Sequence, residues 1–303
     1  MSIAPFSLPG SFRRGNLHTH SQLSDGALPL ERVCSVYRDA GYDFLAVTDH
    51  FMEQYWYTIA NTTSLRTDSF TTIIGAELHT GRTELGHLWH ILAVGLPLDF
   101  APNRPGETGP EIAARALKAG AYVAAPHPAW YGLTEADIVS LGDIHAIEIY
   151  NATSCDYNDR PESVYMLDLM LMRGRRYTSC ATDDAHFKEE RHDALRGWVQ
   201  VKSEHNEPEA LVDALKAGSY YSSTGPKIHD IAVEADGDTL SVHCSPAERI
   251  FLGGYGSKAL HVFGHGMRRA EFSLREFKDS PYLRVTVRDS HGGRAWSNPI
   301  WID

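Results

Sequence analysis

The feature that most constrains this chain is a recurring unit: a short apolar run that closes on histidine, aspartate or glutamate, often followed by a helical stretch. The runs NLHTH (16–20), DFLAVT (43–48), TTIIGAE (71–77), HILAVG (90–95), AYVAAP (121–126), IHAIEIY (144–150) and RYTSCAT (176–182) have the length and hydrophobicity of buried strands. Residues 29–40, 110–119, 161–173 and 208–217 read as helices, each opened by proline and followed by glycine. Such alternation implies an α/β fold with a largely parallel sheet or barrel. After about residue 225 the pattern changes. DIAVEA, TLSVHC, RIFLGG, LHVFG and YLRVTVRD are strand-like runs parted by turn residues, with no helix among them. The expected organisation is a barrel over residues 1–226 and a small all-β domain over 227–303.

In a βα barrel, active sites form at the C-terminal ends of the strands. His18 and His20 are two residues apart, so on an extended segment both rings face one side and reach one ion. Asp25 follows in SDG, His50 after Asp49, Glu77 at the end of its run, and His127 before Pro128. Asp184 and His186 repeat the two-residue spacing. His90 opens its run and so departs from the rule. Ionisable groups are costly to bury unless they are paired or bind metal, so this recurrence points to a cluster of bound divalent metal ions.

Of the 303 residues, 43% are hydrophobic and 22% charged, as in a globular protein. The net charge of -11 argues against a nucleic-acid surface, which needs cations for the phosphates. It is compatible with a small anionic substrate, because bound cations reverse the local sign. No apolar stretch is long enough to cross a bilayer, and the first residues make a poor signal peptide. The scattered cysteines suit reduced thiols, and the expected location is the cytoplasm.

The segments LHTHSQLSDG, FLAVTDH, IGAE, HILAVG, APHPAW and DDAH, in this order, resemble the PHP (polymerase and histidinol phosphatase) family over about residues 15–225. AIEIYN, ALKAGSYYSSTGP and RAWSNPIWI resemble its CehA/McbA branch, whose members include carbamate hydrolases. The resemblance implies a distorted (β/α)7 PHP-type barrel with two or three divalent ions, Zn, Mn or Fe. It implies a first ion on His18, His20, Glu77 and Asp184, and a second on Asp25, His50 and His186. Glu77 then bridges to a third, held also by His90 and His127. Asp25 stands where some members have histidine. His90 is favoured over His87 because HILAVG matches the family spelling better.

The resemblance makes hydrolysis of a small phosphate mono- or diester the leading expectation. The alternatives are a carbamate, amide or ester hydrolase of the same metal-dependent type, and a nucleic-acid-processing or non-catalytic binding module. No G-x-S-x-G elbow is present, so the nucleophile is expected to be water. Asp183 and His192 are candidates for protonating the leaving group, and Asp49 for orienting a neighbouring histidine. His79 is a candidate for a supporting role or for a ligand. Asn151 and Arg160 are candidates for contacting substrate; the alternatives are a turn cap and a solvated loop arginine.

Overall fold

Phe44, Leu45, Ala46 and Val47 are all fully buried, as a strand covered on both faces requires. In the computed structural model, which describes residues 1–302, the first half of the chain runs β1 (Ser11–Asn16), α1 (Leu30–Asp39), β2 (Phe44–Val47), β3 (His50–Phe51), β4 (Thr71–Arg82), β5 (Leu88–Val94), α2 (Gly109–Lys118), β6 (Tyr122–Ala125), α3 (Pro128–Tyr131), α4 (Glu135–Ser140), β7 (Ala146–Asn151) and α5 (Ala152–Asn158). There follow α6 (Val164–Met172), β8 (Thr178–Thr182), β9 (Trp198–Ser203), α7 (Pro208–Lys216) and β10 (Tyr220–Ser223). The remaining strands are β11 (Ile228–Val233), β12 (Thr239–Gly253), β13 (Ala259–Ser273), β14 (Tyr282–Arg288), β15 (Arg294–Ser297) and β16 (Ile300–Trp301).

The strands join in the order β11-β12-β14-β15-β10-β9-β1-β2-β4-β5-β6-β7-β8, with β3 on β4, β13 on β12 and β16 on β14. The pairs β1–β2, β2–β4, β6–β7 and β7–β8 are parallel. β5 is antiparallel to both β4 and β6. The uniformly parallel sheet of a simple βα barrel is therefore only partly realised. The link between β4 and β5 is too short for a crossover helix, so the chain turns back as a hairpin. This places His90 on the return strand beside His79, which is why it breaks the end-of-strand pattern.

The first strand ends at Asn16, so His18 and His20 lie on a rim beyond it rather than in it. The Asn16 amide donates to the His18 carbonyl, the Thr19 hydroxyl and the Tyr37 hydroxyl, fixing the segment. The rim after β8 pairs with it: Thr19 bridges Ala185, the Asp184 N–H donates to His18 O, and the His20 N–H donates to Ala185 O, both at 2.9 Å. The HTH and DDAH segments thus meet side by side.

Beyond Pro226 the described residues form strands and one 3-10 turn. Their core includes Ile231, Leu240, Val242, Ile250, Val285 and Val287. β15 pairs with β10, continuing the sheet, and Trp296 packs among the residues under the first-half strands. The Asn298 side chain accepts the Ser179 N–H at 2.9 Å and donates to the carbonyls of Gly218 and Tyr220. Among the described residues, no helix is long and apolar enough to cross a membrane.

Candidate metal centre

Glu77 lies on β4 in register with His50 on β3 and is buried. Its Oε1 is 2.7 Å from His90 Nδ1, 3.1 Å from His127 Nε2 and 3.6 Å from His18 Nε2. Its Oε2 is 2.6 Å from His50 Nδ1, 3.4 Å from His79 Nε2 and 3.7 Å from His20 Nε2. Asp184 is the second anchor. Its Oδ1 is 2.9 Å from His20 Nε2 and 3.2 Å from His18 Nε2, while Oδ2 accepts the Asn151 amide at 3.1 Å. Asp25 Oδ1 stands 3.3 Å from Nε2 of both His50 and His186.

Acceptors behind three of the histidines fix where the ring proton sits. His18 Nδ1 faces Glu148 Oε1 at 3.0 Å, His79 Nδ1 faces the Trp89 carbonyl at 3.1 Å, and His186 Nδ1 faces the Asp184 carbonyl at 2.7 Å. An acceptor at Nδ1 holds the proton there and turns the Nε2 lone pair to the centre. His79 Nε2 lies 2.8 Å from His50 Nδ1, which leaves His50 Nε2 facing Asp25.

Lone pairs aimed at carboxylates repel unless a proton or a cation lies between them. His18 Nε2, Glu77 Oε2 and Asp25 Oδ1 are buried and form no hydrogen bond, although each has oppositely charged atoms close by. Five sets have ligand atoms within 4.8 Å of one another: His20, Asp25, His50 and His186; His18, His20 and Glu77; His18, His127 and Asp184; His50, Glu77 and His79; Glu77, His90 and His127. This donor set, imidazole nitrogen mixed with carboxylate oxygen, fits divalent Zn, Mn or Fe. The expected second and third sets recur here, the second with His20 added, and the first is divided between two overlapping groups.

Charge within the cluster is finely opposed. Burial disfavours a charge on His18, but Asp184, Glu77 and Glu148 outweigh it and raise its pKa well above 6.5. Burial likewise opposes charge on His50, yet Glu77 and Asp25 push it up to about 10. His20 is driven down to about 3 by burial and by repulsion from His186 and His50. Glu77 and Asp184 resist burial and stay below the usual carboxylate range because imidazoles surround them. The carboxylates that hold these protons would equally hold cations.

The structure brings His18, His20, Asp25, His50, Glu77, His90, His127, Asp184 and His186 together. Asn151 takes the cap role: its Oδ1 caps α5 through the Ser154 N–H, while its Nδ2 is engaged by Glu148 and Asp184 behind the cavity wall. His79 sits behind His50, and His87 is exposed on the hairpin.

Other assignments are corrected. Asp49 touches no histidine; it accepts the Ser21 N–H and the Ser21 and Ser24 hydroxyls, tying down the loop that carries Asp25. Asp183 points away from Asp184 and accepts the N–H groups of Leu195, Arg196 and Gly197 and the Tyr37 hydroxyl. Burial pushes its pKa up to about 6, but with its oxygens engaged it anchors a loop rather than meeting a leaving group. His192 is exposed and lines a separate depression, and Arg160 is exposed outside the cavity wall.

No family model and no curated relative matches the sequence. Among solved structures, 99% of this chain aligns with 98% of a two-domain protein from Bacteroides vulgatus that contains a predicted PHP-like metal-dependent phosphoesterase. The TM-score is 0.53 and the identity 16%. The chain has that PHP-type fold. Weaker matches, at TM-scores of 0.44 and 0.45, are a Bifidobacterium adolescentis protein provisionally described as a metal-dependent phosphoesterase, and a Chromobacterium violaceum amidohydrolase with bound sulfate and no metal. They show 12% and 15% identity, cover 60% and 59% of this chain, and span 90% and 89% of their own.

Within this PHP-type fold, three supporting residues escaped the sequence reading. Glu148 holds His18 through Oε1, and through Oε2 it accepts the His127 N–H at 2.6 Å. Its signal is a charge inside the apolar run IHAIEIY. Asp193 accepts the His186 N–H and the Thr153 hydroxyl. Arg191 lines the cavity, where Arg160 was expected. Neither Asp193 nor Arg191 stands out in a polar loop.

Proposed function

We propose that this protein is a metal-dependent hydrolase that cleaves a small phosphate mono- or diester with water as nucleophile. The observation that carries the reading is the crowding of six imidazoles around one buried carboxylate, Glu77, beside Asp184 and Asp25. Two or three divalent ions, Zn, Mn or Fe, fit these overlapping sets. The fold is read as a distorted (β/α)7 barrel over residues 1–226 with a small β domain over 227–303.

Ions bound there supply Lewis acidity toward phosphoryl oxygens and generate a nucleophile from water near neutral pH. The chain's own residues provide order. Glu148 orients His18, His79 orients His50, and Asn151 with Thr153 fixes Asp184. Trp130 and Tyr131 pack on the rings of His90 and His127 and keep water from that side. Arg191 gives the cavity a positive charge suited to an anionic substrate.

The test is a substrate panel run on metal-loaded and chelator-treated protein. Phosphate release from p-nitrophenyl phosphate, or nitrophenol release from its bis-ester, is expected only with metal. Turnover confined to naphthyl carbamates or carboxylic esters would overturn the phosphoester assignment.

A further inference from the structure

The cavity over the metal-ligand candidates holds about 180 Å³, little more than the roughly 150 Å³ that accepts one benzene molecule. It has room for a phosphoryl group and about one ring. Arg191, Tyr157 and Trp130 share its wall. The Arg191 guanidinium lies 5.2 Å from the centre of the Tyr157 ring, and Tyr157 lies 5.9 Å from Trp130. Trp130 in turn packs 5.2 Å from His127 and 5.6 Å from His90. These contacts form one continuous surface from the metal-ligand candidates to a cation.

Arg191 is half-buried, and among the described residues it has no ion-pair partner. Its neighbour Arg196, by contrast, is paired with Asp156 at 2.8 Å. In a chain of net charge -11, an unpaired guanidinium at the cavity wall is free to take an incoming anion in a charge-assisted hydrogen bond. Arg191 lines both this cavity and the neighbouring depression, and its guanidinium lies beside the Tyr157 ring, which shares the cavity wall. Tyr157 leaves 60% of its surface exposed, an aromatic face in water at the mouth.

We infer that Arg191, Tyr157 and Trp130 select the substrate, and that the preferred class is a small monocyclic aryl phosphate. Arg191 donates to the phosphoryl oxygens that face away from the cluster, and the ring lies against Tyr157 and Trp130. The choice of a phosphate ester rests on the phosphoesterase reading above.

The test measures binding of phenylphosphonate and methylphosphonate to metal-loaded protein by calorimetry, since neither has an ester bond to cleave. The wild type is expected to bind phenylphosphonate at least about threefold more tightly, the contribution of an aromatic contact. Arg191→Gln is expected to weaken both ligands by roughly tenfold or more, with metal content unchanged. Tyr157→Ala and Trp130→Leu are expected to shrink the phenyl preference. Should Trp130→Leu disturb the nearby histidines and lose metal, the exposed Tyr157 position decides the aromatic part. Arg191→Gln binding both phosphonates like wild type would overturn the inference, as would failure of wild type to bind either or a phenyl preference undiminished in Tyr157→Ala. The phosphoesterase reading fails separately, if p-nitrophenyl phosphate and its bis-ester stay intact while the phenyl preference and its loss on substitution are observed.

Discussion

Glu148 grips His18 from behind: its Oε1 lies 3.0 Å from His18 Nδ1, and the same carboxylate accepts the His127 N–H through Oε2. His127 has φ of 32°, a left-handed conformation that a β-carbon resists, so this bond holds strained backbone in place. Glu148→Gln keeps the shape but removes the charge that fixes the imidazole tautomer. Metal affinity is expected to fall roughly 10–100-fold, as when the outer partner of a ligand is lost. Metal titration of the purified variant checks this; wild-type affinity would show that Glu148 has no orienting role.

Asp183 and Asp184 are adjacent yet have opposite duties, and their alanine variants should separate cleanly. Asp184→Ala is expected to lose bound metal and turnover while the protein still melts cooperatively. Asp183→Ala leaves three loop N–H groups and the Tyr37 hydroxyl without their acceptor. A loss of about 3 kcal/mol or more is expected, since each unsatisfied buried group costs about 1–3 kcal/mol. Thermal melts with metal analysis of both variants decide it; the opposite pattern would exchange the two roles.

Much of this was legible in the sequence because strand periodicity and residue chemistry agree. The run 43–48 predicts a strand, and β2 occupies Phe44–Val47; residues 208–217 predict a helix, and α7 occupies Pro208–Lys216. His18, His20, Glu77 and Asp184 could be named because ionisable groups beside apolar runs demand an explanation. Pairing direction was not legible, since an apolar run looks the same whether its neighbour is parallel or antiparallel, as at β5. Asp49 and Asp183 were misassigned because a carboxylate next to a ligand in sequence points elsewhere when the backbone turns. Asp184 itself has φ of 54°. Arg191 and Asp193 sit in a charged loop where no local pattern marks them.

The protonated histidines give the metal-free protein a distinctive pH response. His50 is raised from 6.5 to about 10, and His18 and His186 are raised as well. A group raised in the folded state contributes stability fully below its unfolded pKa and loses it as pH climbs through the folded value. Melting temperature of the metal-free protein is therefore expected to fall as pH rises from about 6.5 toward about 10. Bound metal needs neutral imidazole and should abolish that decline. Melting curves across this range, with and without metal, check it; a flat profile for the metal-free protein would contradict the charge balance described.

Asn298 ties the end of the chain to β8 and to the segment that enters β10 through four hydrogen bonds, two accepted from Ser179 and two donated to Gly218 and Tyr220. Asn298→Ala is expected to lower stability by about 2 kcal/mol, the order of a broken buried hydrogen-bond group, with metal content per folded molecule unchanged. Denaturant unfolding together with metal analysis measures both. Loss of an ion without loss of stability would mean that the C-terminal strands reach the metal centre.

The most direct test of the central claim is the metal content of the full chain purified without chelator, measured by elemental analysis beside Asp184→Ala. The account predicts two or three equivalents of Zn, Mn or Fe in the wild type and a clear reduction in the variant. A folded wild type that binds none of these ions, even after incubation with each, would contradict it.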